Sequence, residues 1–321
     1  MNKRKLGRSG LSIAPLMLGG NVFGWTADAA TAFAILDAFV GEGFNAIDTA
    51  NVYSRWIPGH VGGESETVLG EWLKARGGRD KVVIATKLGM DMGGDNKGLS
   101  AAYMVRAVEE SLGRLQTDHI DLYQSHTDDA ETPLDETLEA YARLIQAGKV
   151  RAIGASNYTA PRLAQALKVS GDKALPRYET LQPLYNLYDR AGFEGALQDL
   201  CVAEEVGVIP FYGLASGFLT GKYRSEADLG KSPRGRGAKR YLDVRGLRIL
   251  AALDQVAAAL SATPAQVALA WLMAQPGLTA PIASATSVEQ LTEILGAARL
   301  VLDAEQLAVL NTASAAEPVA A

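Results

Sequence analysis

A unit of one short strand followed by one helix recurs along the whole of this sequence. Apolar runs of strand length, such as Lys81–Lys87 and Val150–Ala155, alternate with segments whose apolar residues have helical spacing. We place eight strands near residues 15, 46, 83, 121, 151, 180, 208 and 280, each followed by a helix. Eight such units in 321 residues predict a single α/β domain over residues 1–321, a (β/α)8 TIM barrel. The competing architecture, a doubly wound sheet, normally carries a Gly-x-Gly-x-x-Gly turn after its first strand, and the sequence has none.

Local signals mark the start of the chain and several helix starts. Residues Lys5–Ile13 hold two short apolar pieces around a Gly-Arg-Ser-Gly turn, which predicts an N-terminal β-hairpin. Helical periodicity predicts a helix over Ala29–Val40. Hydroxyl residues followed within three positions by Glu, Gln or Asp predict helix N-caps at Thr132, Thr263 and Ser287.

Composition argues against several classes of protein. The net charge of -5 provides no basic field for nucleic acid, and no apolar run approaches the ~20 residues of a membrane span. The single cysteine, Cys201, cannot form an internal disulfide and is expected to be a buried thiol. The basic first residues are not followed by the apolar core of a signal peptide, so a cytoplasmic protein is expected.

Three of the predicted strands end in residues that carry chemistry. The strand near residue 46 ends in Asp48, the next ends in Lys87, and the third ends in His126. Tyr53 follows Asp48 in the adjoining loop. Since parallel strands in a barrel have their carboxyl ends on one face, these four side chains are expected to converge there. Taken singly, each also fits a structural role, because an Asp–Lys pair at strand ends often serves the fold alone.

This constellation resembles the site of the aldo-keto reductases, and the resemblance extends along almost the whole chain. Leu6–Leu11 resembles the family's opening hairpin, and Gly148–Asn157 is similar to its mid-chain signature. There is also some similarity to the potassium-channel β-subunit branch. The resemblance implies an NAD(P)H-dependent oxidoreductase that reversibly reduces an aldehyde or ketone to an alcohol.

Reduction of a carbonyl needs a hydride on carbon and a proton on oxygen, and the resemblance assigns the proton to Tyr53. A free phenol titrates near ~10, and the ammonium of Lys87 would favour its phenolate. Asp48 would balance the charge of Lys87 in a partly dry pocket. His126 would donate to the substrate oxygen or orient it.

For the cofactor, the resemblance implies NADPH, with NADH possible. Ser156, Asn157 and Gln182 would hold the nicotinamide carboxamide, which offers donors and an acceptor to such side chains. By register, Phe211 would stack on the nicotinamide ring. Tyr212 stands where the family usually has a small residue, so the stacking role could fall to it instead.

The remaining cofactor contacts are expected at a glycine-containing strand end, in the segment after the seventh strand and near the start of a late helix. They are Gly20, Asn21, Val22, Gly213, Leu214, Ser216, Gly217, Leu219, Lys222, Arg234, Ser284, Thr286, Gln290 and Glu293. Thr286 and Gln290 are neutral where NADPH-committed members often have Arg or Lys, which leaves the choice between NADPH and NADH open. Residues 212–245 form a long basic segment, interpreted as a loop that covers the cofactor and could supply that cation.

The substrate pocket is expected to be rich in aromatic residues with a few polar groups. Its predicted members are Phe23, Trp25, Ser54, Trp56, Thr127 and Asp128. Such a pocket suits small aldehydes, ketones or sugar-like carbonyls without choosing among them.

The same barrel fold is also compatible with two other functions. A reductase-like subunit that senses nicotinamide redox state for a partner has the same fold, but such a sensor need not keep all four catalytic residues. A metal-dependent hydrolase on the same barrel needs histidine-rich ligands, and three histidines in the chain argue against it. We therefore expect no metal, a small-molecule carbonyl or alcohol as partner, and an oligomeric state that the sequence leaves open.

Overall fold

The computed structural model describes residues 2–233 and 235–315. Two short antiparallel strands, β1 (Arg4–Lys5) and β2 (Ser12–Ile13), form the predicted N-terminal hairpin. Eight parallel strands follow: β3 (Met17–Gly19), β4 (Ala46–Asp48), β5 (Val83–Leu88), β6 (Ile120–Ser125), β7 (Val150–Ser156), β8 (Tyr178–Gln182), β9 (Gly207–Val208) and β10 (Ile282–Ala283).

The eight parallel strands form a barrel. Their order is β10-β3-β4-β5-β6-β7-β8-β9, so β3 to β9 pair in chain order and β10 pairs with β3. Backbone hydrogen bonds from Thr279 N to Val208 O (2.8 Å) and from Ile282 N to Pro210 O (2.9 Å) join the two edges. The predicted (β/α)8 architecture is confirmed, and the doubly wound alternative is excluded.

Helices surround the barrel and connect successive strands. They are α1 (Ala29–Gly41), α2 (Glu64–Arg76), α3 (Ala101–Leu115), α4 (Leu134–Gln146), α5 (Ala160–Lys173), α6 (Ala196–Ala203), α7 (Gly235–Ala238), α8 (Val244–Leu260), α9 (Pro264–Met273), α10 (Val288–Leu295) and α11 (Ala304–Ser314). Within the described ranges no single helix is long and apolar enough to cross a membrane. Helices α8 and α9 reach that length and hydropathy only together, across a 94° bend.

Two of the three predicted N-caps are confirmed. Thr263 and Gln266 form a reciprocal capping box at the start of α9, and the Ser287 side chain accepts a hydrogen bond from Gln290 N. The prediction for Thr132 is wrong, because its hydroxyl donates to Asp129 (2.6 Å) and α4 begins without a side-chain cap. The Thr132 hydroxyl is therefore bonded to the nearby Asp129 carboxylate and does not cap α4.

The core has two layers, one inside the barrel and one between the barrel and its helices. Leu6, Leu11 and Ile13 of the hairpin belong to the inner layer, so the hairpin closes the amino end of the barrel. Gly7 makes this closure possible: a side chain there would begin 2.1 Å from the backbone oxygen of Glu179. The opposite, carboxyl end stays open for a site.

Residues 212–245 contain regular structure. They include 3-10 segments at Ala215–Thr220, Glu226–Lys231 and Lys239–Tyr241, together with α7. Tyr223 Oη and Ser232 Oγ lie 2.6 Å apart and tie two parts of the segment together. The long loop inferred from the sequence is therefore a folded strap of short helical turns.

Candidate active site

A cavity of about 1200 Å³ opens at the carboxyl ends of the strands and extends to the first turns of α10. The predicted site residues that border it are Asn21, Trp25, Asp48, Tyr53, Trp56, His126, Ser156, Asn157, Gln182, Phe211, Tyr212, Gly213, Leu214, Ser216, Gly217, Lys222, Ser284, Thr286, Gln290 and Glu293. One continuous cavity thus connects Asp48 and Tyr53, near the strand ends, with α10.

Asp48, Lys87 and Tyr53 form a closed triangle of polar contacts beneath this cavity. Lys87 Nζ donates to Asp48 Oδ2 at 2.6 Å and to Tyr53 Oη at 2.7 Å. Tyr53 Oη in turn donates to Asp48 Oδ2 at 3.1 Å. Parallel pairing of β4 with β5 brings the strand ends together, and Lys87 is fully buried. A buried ammonium is tolerable here because the carboxylate lies beside it.

Burial, followed by the charge of Asp48, raises the pKa of Tyr53 well above its ordinary value. From the sequence, Lys87 was expected to favour the phenolate, and that role stays a prediction. In the free protein the pKa is nevertheless raised, because burial and the Asp48 carboxylate close to the phenol oxygen oppose loss of the proton. Burial also lowers the pKa of Lys87, against the opposing effect of Asp48. At neutral pH the phenol therefore keeps its proton.

His126 completes the group on the other side of Tyr53. The two rings meet edge to face with centroids 6.0 Å apart. Burial, and then the charge of Lys87, lowers the pKa of His126 well below its ordinary value, so the imidazole is neutral. Its Nδ1 is buried without a hydrogen-bond partner among the described residues. Because an orphaned acceptor costs less than an orphaned N–H donor, we place the proton on Nε2.

The three residues expected to hold a carboxamide lie together at the ends of β7 and β8. Ser156 Oγ donates to Gln182 O at 2.8 Å, and Asn157 Nδ2 donates to His126 O at 2.9 Å. Gln182 Nε2 donates to Asp48 Oδ1 at 2.9 Å. The carboxylate of Asp48 is thus held on both oxygens, by an amide on one side and by Lys87 on the other.

Phe211 and Tyr212 both border the cavity, with ring centroids 5.3 Å apart. Tyr212 has a left-handed backbone, with φ of 56°, and 45% of its surface is exposed. This conformation turns its ring toward solvent more than that of Phe211, which is half-buried. Both rings border the cavity, so either Phe211 or Tyr212 fits the predicted role of stacking on the nicotinamide.

At the far end of the cavity, Thr286 and Gln290 are neutral, whereas Glu293 of α10 is acidic. Thr286 donates to Gln290 Oε1 through both its backbone N and its hydroxyl, each at 3.0 Å. Three cations of the strap pair with carboxylates: Lys231 with Asp228, Lys239 with Glu226, and Arg240 with Asp189. Lys222 is exposed and borders the cavity. Among the described basic residues of the strap, Lys222 borders the cavity and is therefore placed best to meet an anion.

The model of the aldo/keto reductase family matches residues 15–315. The chain belongs to the aldo/keto reductase family. It is 38% identical to an uncharacterised oxidoreductase of Bacillus subtilis (strain 168), YrpG, over 95% of this chain and 94% of that protein. It is also 31% identical to the aldo-keto reductase YhdN of the same strain, over 90% and 85%. A probable voltage-gated potassium channel subunit beta from Oryza sativa subsp. japonica is 33% identical, over 91% and 90%.

The family establishes that this chain is an oxidoreductase, and family members generally use NAD(P)H on small-molecule carbonyls. The fold and the resemblance drawn from the sequence are thereby confirmed. The roles of individual residues stay predictions that the geometry can support. Within the described residues, no group of three or more His, Cys, Asp or Glu side chains could hold a metal ion.

Several residues that the sequence predicted for the site of this aldo/keto reductase do not border the cavity in the described structure. They are Gly20, Val22, Leu219, Phe23, Ser54, Lys87, Thr127 and Asp128, of which Lys87 lies just beneath the cavity in contact with Tyr53. Ser54 and Phe23 are fully buried, and Ser54 Oγ donates to Phe23 O at 3.2 Å, so both belong to the wall behind it. Asp128 instead pairs with Arg162 at 2.8 Å. Arg234, also predicted, lies outside the described residues.

Other residues of the aldo/keto reductase cavity were missed. Thr26, Val52 and Met90 border it beside Trp25 and Trp56. Val52 could have been found, since it immediately precedes the predicted Tyr53. Met90 follows β5 by two residues, a position that parallel strands deliver to the same face.

Proposed function

We propose that this protein is a carbonyl reductase that uses NAD(P)H to convert an aldehyde or ketone to an alcohol, and that also runs in reverse. The observation that carries the proposal is the triangle of Tyr53, Lys87 and Asp48 at the cavity, with 2.7 Å between the phenol oxygen and Lys87 Nζ. A neutral phenol beside a buried ammonium suits proton donation to an oxygen that gains negative charge.

The proton step follows from the charges of these groups. Tyr53 stays protonated at neutral pH because burial and Asp48 raise its pKa. When it gives its proton to the substrate oxygen, the resulting phenolate lies against Lys87 and is stabilised by that charge. Asp48 favours the charged form of Lys87, against the opposing effect of its complete burial. His126, neutral and protonated on Nε2, would donate a hydrogen bond that orients the carbonyl.

The residues present fit a dinucleotide. Amide and hydroxyl groups of Ser156, Asn157 and Gln182 suit a carboxamide, Phe211 or Tyr212 offers a stacking face, and the helix start at α10 faces the same cavity. When bound, NAD(P)H supplies the hydride. Gln182 would have to release Asp48, or share its amide, to bind a carboxamide, because Nε2 donates to Asp48 Oδ1.

For cofactor choice, we propose a modest preference for NADPH with measurable use of NADH. Thr286→Arg adds a guanidinium beside the cavity, and a charge-assisted bond contributes about 1.5–3 kcal/mol. NADPH affinity should rise at least tenfold while NADH affinity changes little. Thr292→Arg is the matched control, because Thr292 is exposed on α10, the helix that begins just after Thr286, and does not border the cavity. Dissociation constants for both cofactors at two salt concentrations provide the measurement. A wild-type NADPH preference above about a hundredfold, unmoved by Thr286→Arg, would contradict the dual-cofactor proposal.

The cavity walls support uncharged carbonyl substrates. Trp25 and Trp56 meet edge to face with centroids 5.7 Å apart, and Val52 and Met90 border the same space. This lining suits small aromatic or aliphatic aldehydes and ketones.

A second candidate function, a redox-sensing subunit for a partner, is favoured by the similarity to a protein named as a channel subunit. The two functions are separated by titrating the protein with NADPH and then adding a panel of aldehydes and ketones. Oxidation of NADPH that depends on the carbonyl supports the reductase. Tight NADPH binding with no turnover of any of them would favour the sensor.

A further inference from the structure

The first turn of α2 carries two fully buried polar residues, Ser65 and Glu66. Ser65 Oγ donates to Gly20 O at 2.7 Å, just beyond the end of β3. Its proton is therefore used, and the 2.8 Å contact with Thr49 Oγ1 has Thr49 as donor. Thr49 follows Asp48 directly, so Ser65 holds the ends of β3 and β4 together.

Glu66 makes a corresponding contact with the next strand, β5. Thr86 Oγ1, on β5, donates to Glu66 Oε1 at 2.5 Å. The other oxygen, Oε2, accepts from Arg114 Nε of α3 at 2.7 Å. Thr86 immediately precedes Lys87, so the carboxylate fixes the backbone that delivers this lysine.

These contacts meet at Lys87. Its Nζ donates to Thr49 O at 2.9 Å in addition to its contacts with Asp48 and Tyr53. Ser65 therefore fixes the strand end that provides one acceptor, and Glu66 fixes the strand end that provides the donor. A shift of either end would lengthen the contact between the ammonium and the phenol.

We propose that Ser65 and Glu66 are positioning residues that hold the Asp48 and Lys87 strand ends in register, and that the Glu66 carboxylate, bonded to the neighbouring Thr86, acts on Lys87 as a second anion. This inference rests on the proposed role of Lys87 in carbonyl reduction. It assigns a function to a helix turn that does not border the cavity.

Lys87 contacts Asp48 from β4 and Tyr53 from the following loop, and it interacts through charge with Glu66 of α2 and His126 beyond β6. Asp48 and then Glu66 raise the pKa of Lys87, against the larger lowering by burial.

Glu66 itself faces Arg114 of α3 and the Tyr123 ring of β6. Arg114 also lies 3.8 Å from the exposed Glu110. Removing the charge of Glu66 should lower the pKa of Lys87, whereas removing the charge of Arg114 should raise it.

The simpler alternative is that Glu66 and Arg114 only fasten α2 to α3. Two variants distinguish the alternatives, because Glu66→Gln and Arg114→Gln both break that fastening but alter the charge near Lys87 in opposite senses. The Lys87 Cε resonance can be titrated by carbon-13 NMR in the cofactor-free protein and assigned by its loss in Lys87→Arg.

We expect the pKa of Lys87 to fall by about half a pH unit or more in Glu66→Gln and to rise in Arg114→Gln. Shifts in the same direction, or no shift in either variant, would overturn the electrostatic part of the proposal.

A second pair of variants tests the positioning itself without touching the Glu66–Arg114 pair. Thr86→Val removes the hydroxyl and keeps the shape, whereas Thr86→Ser restores a hydroxyl. We expect kcat for carbonyl reduction to fall about tenfold in Thr86→Val with the cofactor Kd unchanged, and to recover largely in Thr86→Ser. Equal kcat in all three proteins would overturn the positioning role.

If Glu66→Gln does not fold, the Thr86 variants decide alone. If the wild-type protein reduces no carbonyl, the proposed function fails, while the NMR titration still tests the link between Glu66 and Lys87.

Discussion

Two buried aspartates, Asp48 and Asp121, occupy opposite ends of the barrel and carry different partners. Asp48 is only 1% exposed and Asp121 is fully buried. Asp121, near the amino end of β6, accepts from Ile84 N at 2.9 Å, from Arg79 at 2.8 Å and from Arg151 at 2.6 Å. Asp48, at the carboxyl end of β4, pairs with Lys87, and both side chains are almost fully buried.

The difference lies in what else the cation touches. Neither arginine can lose its proton at ordinary pH, so the two close cations beside Asp121 keep their charge, and His119 Nε2 lies further away, 3.9 Å from Asp121 Oδ1. Lys87 shares its ammonium with the phenol of Tyr53, which borders a large cavity. A buried ion pair thus serves the fold when its hydrogen-bonded cations keep a fixed charge, and becomes a candidate for chemistry when a titratable group bonds to the cation and borders a large cavity.

The largest expected effect is that of Lys87→Met. Turnover should fall by about 10²-fold or more, because the phenolate formed on proton transfer loses its cation. Some stability should also be lost, since Asp48 stays buried without its charged partner. Steady-state kinetics, with circular dichroism to confirm folding, provides the measurement. A fully active Lys87→Met protein would contradict the proposed difference between the Asp48 pair and the Asp121 cluster.

Asp121→Asn should have the opposite profile. It leaves two arginines facing a neutral amide, and breaking this cluster should lower the free energy of unfolding by about 3 kcal/mol. The kcat of the folded fraction should stay within about twofold of wild type, because the cluster lies at the end of the barrel away from the cavity. Urea unfolding combined with kinetics tests this. A large loss of kcat with unchanged stability would show that the two ends are coupled.

Within the Asp121 cluster, the two arginines should differ. The Arg151 side chain is 54% exposed, so Arg151→Gln should cost less than about 1 kcal/mol. The Arg79 side chain is 17% exposed and also donates to Val82 O and His119 O, so Arg79→Gln should cost more. Equal urea midpoints for the two variants would contradict this ranking.

The sequence predicted those parts of the protein that depend on local periodicity and chain order. Asp48, Lys87 and His126 each follow an apolar run, and parallel strands must deliver their carboxyl ends to one face. The eight strand positions were predicted because each strand follows the same pattern of a short apolar run. Helix starts were predicted where the cap was local, as at Thr263.

Features that depend on contacts between distant parts of the chain escaped prediction. The basic segment 212–245 was expected to offer a cation to the cofactor, but its Arg240 pairs with Asp189, 51 residues away in sequence. Ser54 was expected to face the substrate and instead donates to the backbone of Phe23. The raised pKa of Tyr53 likewise needed the distance to Asp48. Glu66 carried no signal at all, because its partner Thr86 is recognised only once α2 lies against β5.

The central claim is that Tyr53 donates the proton. The most direct test is a comparison of Tyr53→Phe with Tyr212→Phe, since both phenols border the cavity and Tyr53 contacts Lys87. Stopped-flow oxidation of bound NADPH on mixing with an aldehyde measures the chemical step in a single turnover. The account predicts a fall of about 10²-fold or more for Tyr53→Phe at unchanged cofactor Kd, and a change of less than about tenfold for Tyr212→Phe. A Tyr53→Phe protein that reduces the aldehyde at the wild-type rate would contradict it.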